Sequence, residues 1–250
     1  LAEWHIAAPL MVVKGDGSLV RAEWAMQRPI ETILSGPAAS AVGAWHLARQ
    51  TSPDLAGEDP AGNLPAVWVV DVGGTTTDIA GLREGRPRLN IEGAQVGSWR
   101  TMVEAVDVYT VGLGGDSQVK VTSDRRLTIG PQRVVPISLL ASEHPEVVED
   151  LRNQAMVPPR EDVAAAFLMA RRPPRRQLQG DDLTLIERLA RGPISLSFLM
   201  RESRFGALIL RRIDALVSER LVMRAGFTPT DALHALGRLD VWDGEAARLA

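Results

Sequence analysis

The chain has 250 residues, a formal net charge of −3, 45% hydrophobic residues and no cysteine. That length can bury a substantial core, in one large domain or two small ones, and the composition marks neither a disordered chain nor one broadly attracted to nucleic acid. The lack of cysteine excludes disulfides, thiol catalysis and Cys-ligated zinc; no apolar run approaches the ~20 residues of a membrane span and no signal peptide is visible, so a cytoplasmic address is the default.

In chain order, residues 10–20 read as a strand entering the turn Gly15-Asp16-Gly17. Because Leu1 is not an initiator methionine and a strand begins so soon after it, the chain reads as cut inside a larger fold. Ser35 can cap a helix that starts near Gly36-Pro37 and runs to about Arg49, since proline tolerates the first turn and a hydroxyl can accept an orphan N–H. Ala38, Ala39, Ser40, Ala41, Gly43 and Ala44 give that helix a small-residue face. Either its N-terminus approaches an anion, which its dipole favours, or the face only packs closely on a sheet.

The most informative stretch follows. The apolar, β-branched run Val67-Trp68-Val69-Val70 ends at Asp71, turns through Gly73 and Gly74, and leaves along Thr75, Thr76 and Thr77 to Asp78. This pattern suits a hairpin whose turn faces a phosphate. Glycines let the main chain come close and adopt positive φ, so that N–H groups point at anionic oxygens, and threonine hydroxyls add short donors. A carboxylate cannot hold a phosphate, but it can hold Mg²⁺ or its water shell, or orient an attacking water. Asp71, at the end of a buried strand, is the better candidate for that role, with Asp78 serving the turn or the metal's water shell. A P-loop or dinucleotide site needs a helix directly after the glycines; here residues 75–82 are rich in β-formers, and Glu84-Gly85-Arg86-Pro87 breaks the run before a helix could form. Residues 88–91 can add a third strand. An ordinary glycine-containing hairpin is the competing account.

Residues 106–111 read as a strand leading to the flat loop Gly112-Leu113-Gly114-Gly115-Asp116-Ser117, which can accept an adenine or ribose face or simply turn the chain. Beyond Pro131 the pattern weakens, with Pro158-Pro159 and Arg171-Arg172-Pro173-Pro174-Arg175-Arg176 as breaks and residues 161–170 as a short helix candidate. The arginines could contact phosphates or form a solvated loop. Asp181-Asp182 can cap a helix over 183–191 that Gly192-Pro193 stops; helices are expected over 194–201 and 205–224, and Thr228-Pro229-Thr230-Asp231 caps a last one over 231–236. Thr230 or Asp231 could instead reach a nucleotide. Three short helices with a Gly-Pro turn look like a winged helix-turn-helix, but residues 195–200 carry no charge, which does not suit a DNA-reading helix. His5, His46, His144 and His234 are scattered without ligand spacing.

Asp71-Val72-Gly73-Gly74-Thr75-Thr76-Thr77-Asp78 resembles the second phosphate hairpin of the actin, sugar kinase and heat-shock ATPase superfamily. Upstream, Arg28-Pro29-Ile30-Glu31-Thr32-Ile33-Leu34-Ser35-Gly36-Pro37-Ala38-Ala39 is similar to a signature of one branch, the hydantoinase A and oxoprolinase family. Downstream, Val106-Asp107-Val108-Tyr109-Thr110-Val111 with the glycine loop, and Phe227-Thr228-Pro229-Thr230-Asp231-Ala232-Leu233 with Leu236-Gly237, are similar to two further segments of it. Asp116 departs from the pattern, which commonly has a third glycine there; a carboxylate near phosphates is repulsive unless a metal or a ribose hydroxyl meets it.

The resemblance implies an α/β ribonuclease-H-like lobe with a helical insertion or appendage: a lobe over 1–131, an irregular linker or insertion over 132–180, a helical winged-helix-like part over 181–225, and a segment over 226–250 that returns to the main lobe. It implies ATP and Mg²⁺, and a hydrolase that opens a cyclic amide of the hydantoin or 5-oxoproline type by phosphorylating a ring carbonyl oxygen. By the same resemblance Asp71 and Asp78 are catalytic, with Asp71 at the metal. Gly73, Gly74, Thr75 and Thr76 hold phosphates, Gly112, Gly114, Gly115 and Ser117 the nucleoside, and Ser35 and Gly36 bring the helix N-terminus to the nucleotide. Superfamily members hold nucleotide between two lobes, each with a phosphate hairpin, and only one is found here. The implied partners are therefore a missing N-terminal lobe of the same polypeptide and a second hydantoinase subunit, with a small cyclic amide as substrate and neither nucleic acid nor membrane. A carboxylase subunit or kinase on the same frame, or a non-catalytic protein-binding module, are the alternatives.

Overall fold

The computed structural model describes residues 7–52, 66–96, 98–122, 124–160, 163–174, 176–202 and 206–250. His5 lies outside them, as do the first two residues of the expected 161–170 helix, Arg175 of the arginine cluster and the first residue of the expected 205–224 helix. The chain is a mixed α/β protein of two compact units, 1–111 and 112–250. Among the described residues no helix is long and apolar enough to cross a membrane.

The first unit opens with the antiparallel pair β1 (Met11–Val13) and β2 (Leu19–Arg21), followed by α1 (Ala22–Gln27) and a 3-10 turn at Pro29–Thr32. Asp16 builds the turn between the strands by accepting from the Ser18 amide at 2.9 Å and the Ser18 hydroxyl at 2.6 Å. Gly15 is required by close approach: a Cβ there would sit 2.1 Å from the Ile33 carbonyl oxygen. Its amide donates to the Glu31 carbonyl at 2.8 Å and its carbonyl accepts from Val106 at 2.7 Å, so the turn is clamped from two sides. Lys14 bridges Glu31 at 3.0 Å and Asp16 at 3.1 Å and lies over the Trp24 ring.

The helix α2 (Ser35–Thr51) packs on a sheet of order β10-β4-β3, built from β3 (Val67–Val72), β4 (Thr77–Arg83) and β10 (Val108–Val111), with β5 (Arg86–Pro87) added to β4. Ala38, Ala41 and Trp45, three and four residues apart, form the buried stripe of α2 against Ala80, Leu82 and Val106. Side chains alternate across a strand, so Val67, Val69 and Asp71 share the face that α2 covers, while Trp68, Val70 and Val72 lie exposed on the other. The third strand after the hairpin begins earlier than expected, at Arg86, where Gly85 at φ +75 turns the chain beneath Trp45. Residues 88–91 instead supply β6 (Leu89–Asn90), which pairs with β9 (Ala105–Val106) and not with the hairpin. A small ribbon of β7 (Gln95–Val96) and β8 (Trp99–Arg100) lies between them in sequence.

The second unit begins with the ribbon β11 (Ser117–Val121) and β12 (Leu127–Arg133). Its sheet runs β13 (Val135–Pro136), β16 (Val222–Gly226), β14 (Phe167–Ala170), β15 (Ile194–Ser195). The helices are α3 (Ile137–Glu143), α4 (Glu146–Met156), α5 (Gly180–Leu189), α6 (Leu196–Glu202), α7 (Gly206–Ser218), α8 (Pro229–Ala235) and α9 (Gly244–Leu249). Two apolar clusters fill the two sides of this sheet. Leu168 and Val222 pack with α5, α6 and α7, whereas Phe167 and Ala225 pack with α3, α4 and α9. Adjacent residues pointing to opposite cores make this a three-layer arrangement.

That two-sided burial explains three corrections to the sequence reading. The expected helix at 161–170 is β14 in its second half, because Phe167-Leu168-Met169-Ala170 is an apolar run buried on both faces. Ile194–Ser195 is a strand pairing with β14 before α6 begins. The long helix expected to reach 224 stops at Ser218; Arg220 takes a left-handed φ of +59 and turns the chain into β16. The expected Asp181-Asp182 cap is also revised: Gln179 is the N-cap without a side-chain bond, and both aspartates sit in the first turn paired with Arg212 of α7.

Candidate functional site

The hairpin forms as its sequence suggests, with Asp71 directly opposite Asp78 and Val72 opposite Thr77, leaving Gly73-Gly74-Thr75-Thr76 as the turn. Asp78 is fixed: its Oδ1 accepts from the Thr110 hydroxyl of β10 at 2.6 Å and its Oδ2 from the Thr76 hydroxyl at 3.3 Å. Asp71, half-buried on the same face, makes no side-chain hydrogen bond or ion pair among the described residues. The pair therefore consists of one committed and one available carboxylate.

The turn uses its glycines differently from the expectation. The Gly73 amide donates to the Thr76 carbonyl at 2.9 Å and closes the turn, and Gly73 does not adopt the left-handed φ that was anticipated. Gly74 and Thr75 are exposed, and their amides make no hydrogen bond among the described residues. The turn thus offers two free N–H groups and the Thr75 hydroxyl at its tip. Three groups of that kind can meet an oxyanion.

Ser35 and Gly36 are the first two residues of α2, on the face of the sheet that carries Asp71 and Asp78. Ser35 does not cap the helix. Leu34, at φ +61, is the N-cap and has no hydroxyl to offer, so the first amides of α2 gain no side-chain acceptor there. A side chain at Gly36 would meet nothing within 4 Å, so the glycine leaves the helix entrance uncovered.

Gly112, Gly114, Gly115 and Ser117 belong to the second unit, whereas the hairpin belongs to the first. This loop is braced from within: buried Ser117 accepts from the Gly114 amide at 2.9 Å and its own amide donates to the Gly114 carbonyl at 3.0 Å. The Gly115 carbonyl accepts from the Thr230 hydroxyl at 2.9 Å and the Thr230 amide at 3.2 Å. Gly114 is buried, which leaves Gly112 and half-buried Gly115 as the accessible glycines. Asp116 turns to Arg133 at 2.9 Å, so an arginine meets the carboxylate that departs from the family pattern.

Sequence reasoning saw the cap at Thr228 and Asp231 but not its reach. Asp231 is fully buried and also accepts from the Ile137 and Ser138 amides, at 3.1 and 2.8 Å, and from the Ser138 hydroxyl at 2.6 Å. One carboxylate therefore caps α3 as well as closing the capping box of α8. With all its lone-pair directions taken, it has none left for a nucleotide.

Among the described residues no group of three or more His, Cys, Asp or Glu side chains could hold a metal by itself. Mg²⁺ is commonly held by one or two carboxylates with the rest of its shell from phosphates and water. Asp71 and Asp78 provide that carboxylate count at the root of a turn with free donors.

The family model described as "Hydantoinase/oxoprolinase" matches residues 1–242. Comparison with curated proteins gave no match. Among solved structures, an acetone carboxylase, described in work on the mechanism of ATP-dependent acetone carboxylation and in its nucleotide-free form, is similar over 62% of this chain at 17% identity with a TM-score of 0.44. The similar region is 20% of that protein's length.

Proposed function

The chain belongs to the hydantoinase/oxoprolinase family, and from that premise we propose that it carries one ribonuclease-H-like phosphate-binding lobe of an ATP-dependent enzyme that opens a cyclic amide of the hydantoin or 5-oxoproline kind. The observation that carries this reading is the Asp71–Asp78 pair at the root of an exposed Gly-Thr turn, with Asp78 tied down by threonines and Asp71 left available. Asp71 would hold Mg²⁺ or orient a water, the Gly74 and Thr75 amides with the Thr75 hydroxyl would bind phosphate oxygens, and the open start of α2 favours the same anion through its dipole. When bound, ATP would supply the phosphoryl group that makes the ring carbon electrophilic, and Mg²⁺ would neutralise phosphate charge.

The protein's own part is positional. Two threonines hold Asp78 rigid, and β4 between β3 and β10 keeps Asp71 in register with it. A second phosphate hairpin would come from another lobe of the same polypeptide, and a second subunit would help to present the cyclic amide.

The test uses the full-length protein with Mg-ATP and hydantoin or 5-oxoproline. Ring-opened product should form together with ADP and phosphate, and Asp71→Ala should abolish both. A phosphorylated or carboxylated product would assign the kinase or carboxylase chemistry instead, and unchanged turnover in Asp71→Ala would remove Asp71 from the site.

A further inference from the structure

A cavity of about 530 Å³ within the second unit is lined by Arg133, Arg171, Arg224, Asp116 and Trp242. Its charges do not cancel. Arg133 is neutralised by Asp116 at 2.9 Å, but the Arg171 side chain makes no ion pair or hydrogen bond among the described residues. Arg224 donates through Nη2 to Asp214 at 2.7 Å, while its Nη1 makes no hydrogen bond among the described residues. An oxyanion is the chemical complement of guanidinium donors that reach the cavity without a protein acceptor.

The rest of the wall is flat and apolar. Trp242 lies on the ring of His234 with centroids 5.7 Å apart, which holds the indole in place, and Val217 and Val222 contribute aliphatic surface. A neighbouring cavity of about 570 Å³ beside Arg172, Arg176 and Arg220 is also basic. There, however, Arg176 grips the Glu219 carboxylate at 2.9 and 3.1 Å and Arg172 donates to the Glu219 carbonyl at 2.7 Å, which leaves Arg220 with free donors and no aromatic ring in the lining. The first cavity sets its uncommitted donors beside an aromatic ring.

We propose that the cavity between Arg171, Arg224 and Trp242 binds a small organic anion: one phosphate or carboxylate group carried on a flat unsaturated body. The arginines receive the oxyanion and the indole and valines receive the body. The site goes beyond the nucleotide reading, because none of the hairpin residues enters it and it stands whether or not ATP is used.

Calorimetry on the full-length protein with phenyl phosphate, benzoate and inorganic phosphate tests this. Phenyl phosphate or benzoate should bind saturably at one site, and whichever binds tighter identifies the oxyanion. Arg171→Met, an exposed change that breaks no ion pair, should weaken that binding about tenfold or more, as loss of a charge-assisted hydrogen bond does. Arg224→Met should do the same, with its melting curve showing that it folds. Absence of saturable binding by both organic probes would overturn the proposal, as would an affinity unchanged in Arg171→Met. Inorganic phosphate binding as tightly as phenyl phosphate would also overturn it, since the apolar wall would then contribute nothing.

Discussion

Replacing Asp231 with alanine should unfold the second unit's α3–α8 junction more than any surface change could. The carboxylate accepts from the amides of Ile137, Ser138 and Thr228 at 3.1, 2.8 and 2.9 Å, and from the hydroxyls of Ser138 and Thr228 at 2.6 and 2.8 Å. The hydroxyls can rotate to other acceptors, but the three amides point at fixed positions inside a site that water does not reach. A buried donor left unpaired costs about 1–3 kcal/mol, so with some relaxation the loss is on the order of 4–6 kcal/mol. Asp231→Asn keeps one acceptor oxygen and turns an NH₂ toward the remaining donors, so its loss should be about half as large. Guanidinium unfolding gives the stability, and residue-resolved hydrogen exchange tests the cause, since the Ile137 and Ser138 amides should lose protection first. A cost below about 1 kcal/mol for Asp231→Ala, with those two amides still protected, would refute the reasoning.

Other changes test other joints. Gly15→Ala should destabilise the first unit by about 3 kcal/mol or more in chemical unfolding, because its methyl group would overlap the Ile33 carbonyl oxygen. Ala41→Leu, at a residue 1% exposed on the buried stripe of α2, should cost about 1–3 kcal/mol by overpacking and lower the melting temperature. The Glu31 carboxylate, opposed by partial burial and joined by Asp16, raises the Lys14 pKa above its ordinary 10.5. A raised pKa contributes stability that is fully present below the ordinary value and is lost as pH rises through the folded one. Melting temperature should therefore fall more steeply above about pH 10 in the wild type than in Lys14→Met.

The hairpin was legible because its signals are local: an alternating apolar strand, a glycine pair, a threonine return and a break at Glu84-Gly85. The buried stripe of α2 was legible only in part: Ala38 and Ala41 belong to the expected small-residue face, but Ala39 and Gly43 are exposed and Trp45 completes the stripe. Where the reading failed, the deciding partner was distant. Phe167-Leu168-Met169-Ala170 is a short apolar run with no period of its own, and only the two cores on either side make it a strand. The turn at Arg220 breaks an apolar pattern that continues unbroken in sequence, because Val222 must enter the sheet. Asp231 looked like a local cap, and the α3 amides it also serves lie 93 and 94 residues away. Asp116 looked like an intruder among glycines until Arg133 supplied its counter-charge across the β11–β12 ribbon. In the turn, sequence named the glycines but not their division of labour, in which Gly73 closes the hairpin and Gly74 and Thr75 keep their donors free.

The central claim is that Asp71 and the hairpin turn bind a metal-nucleotide. Titrating the full-length protein with ATP, with and without Mg²⁺, in the wild type and in Asp71→Asn, tests it directly. The account predicts saturable, Mg²⁺-dependent binding that Asp71→Asn weakens at least about tenfold while leaving the melting temperature unchanged, since Asp71 has no protein partner to lose. ATP binding of equal strength in both proteins, or binding indifferent to Mg²⁺, would contradict it.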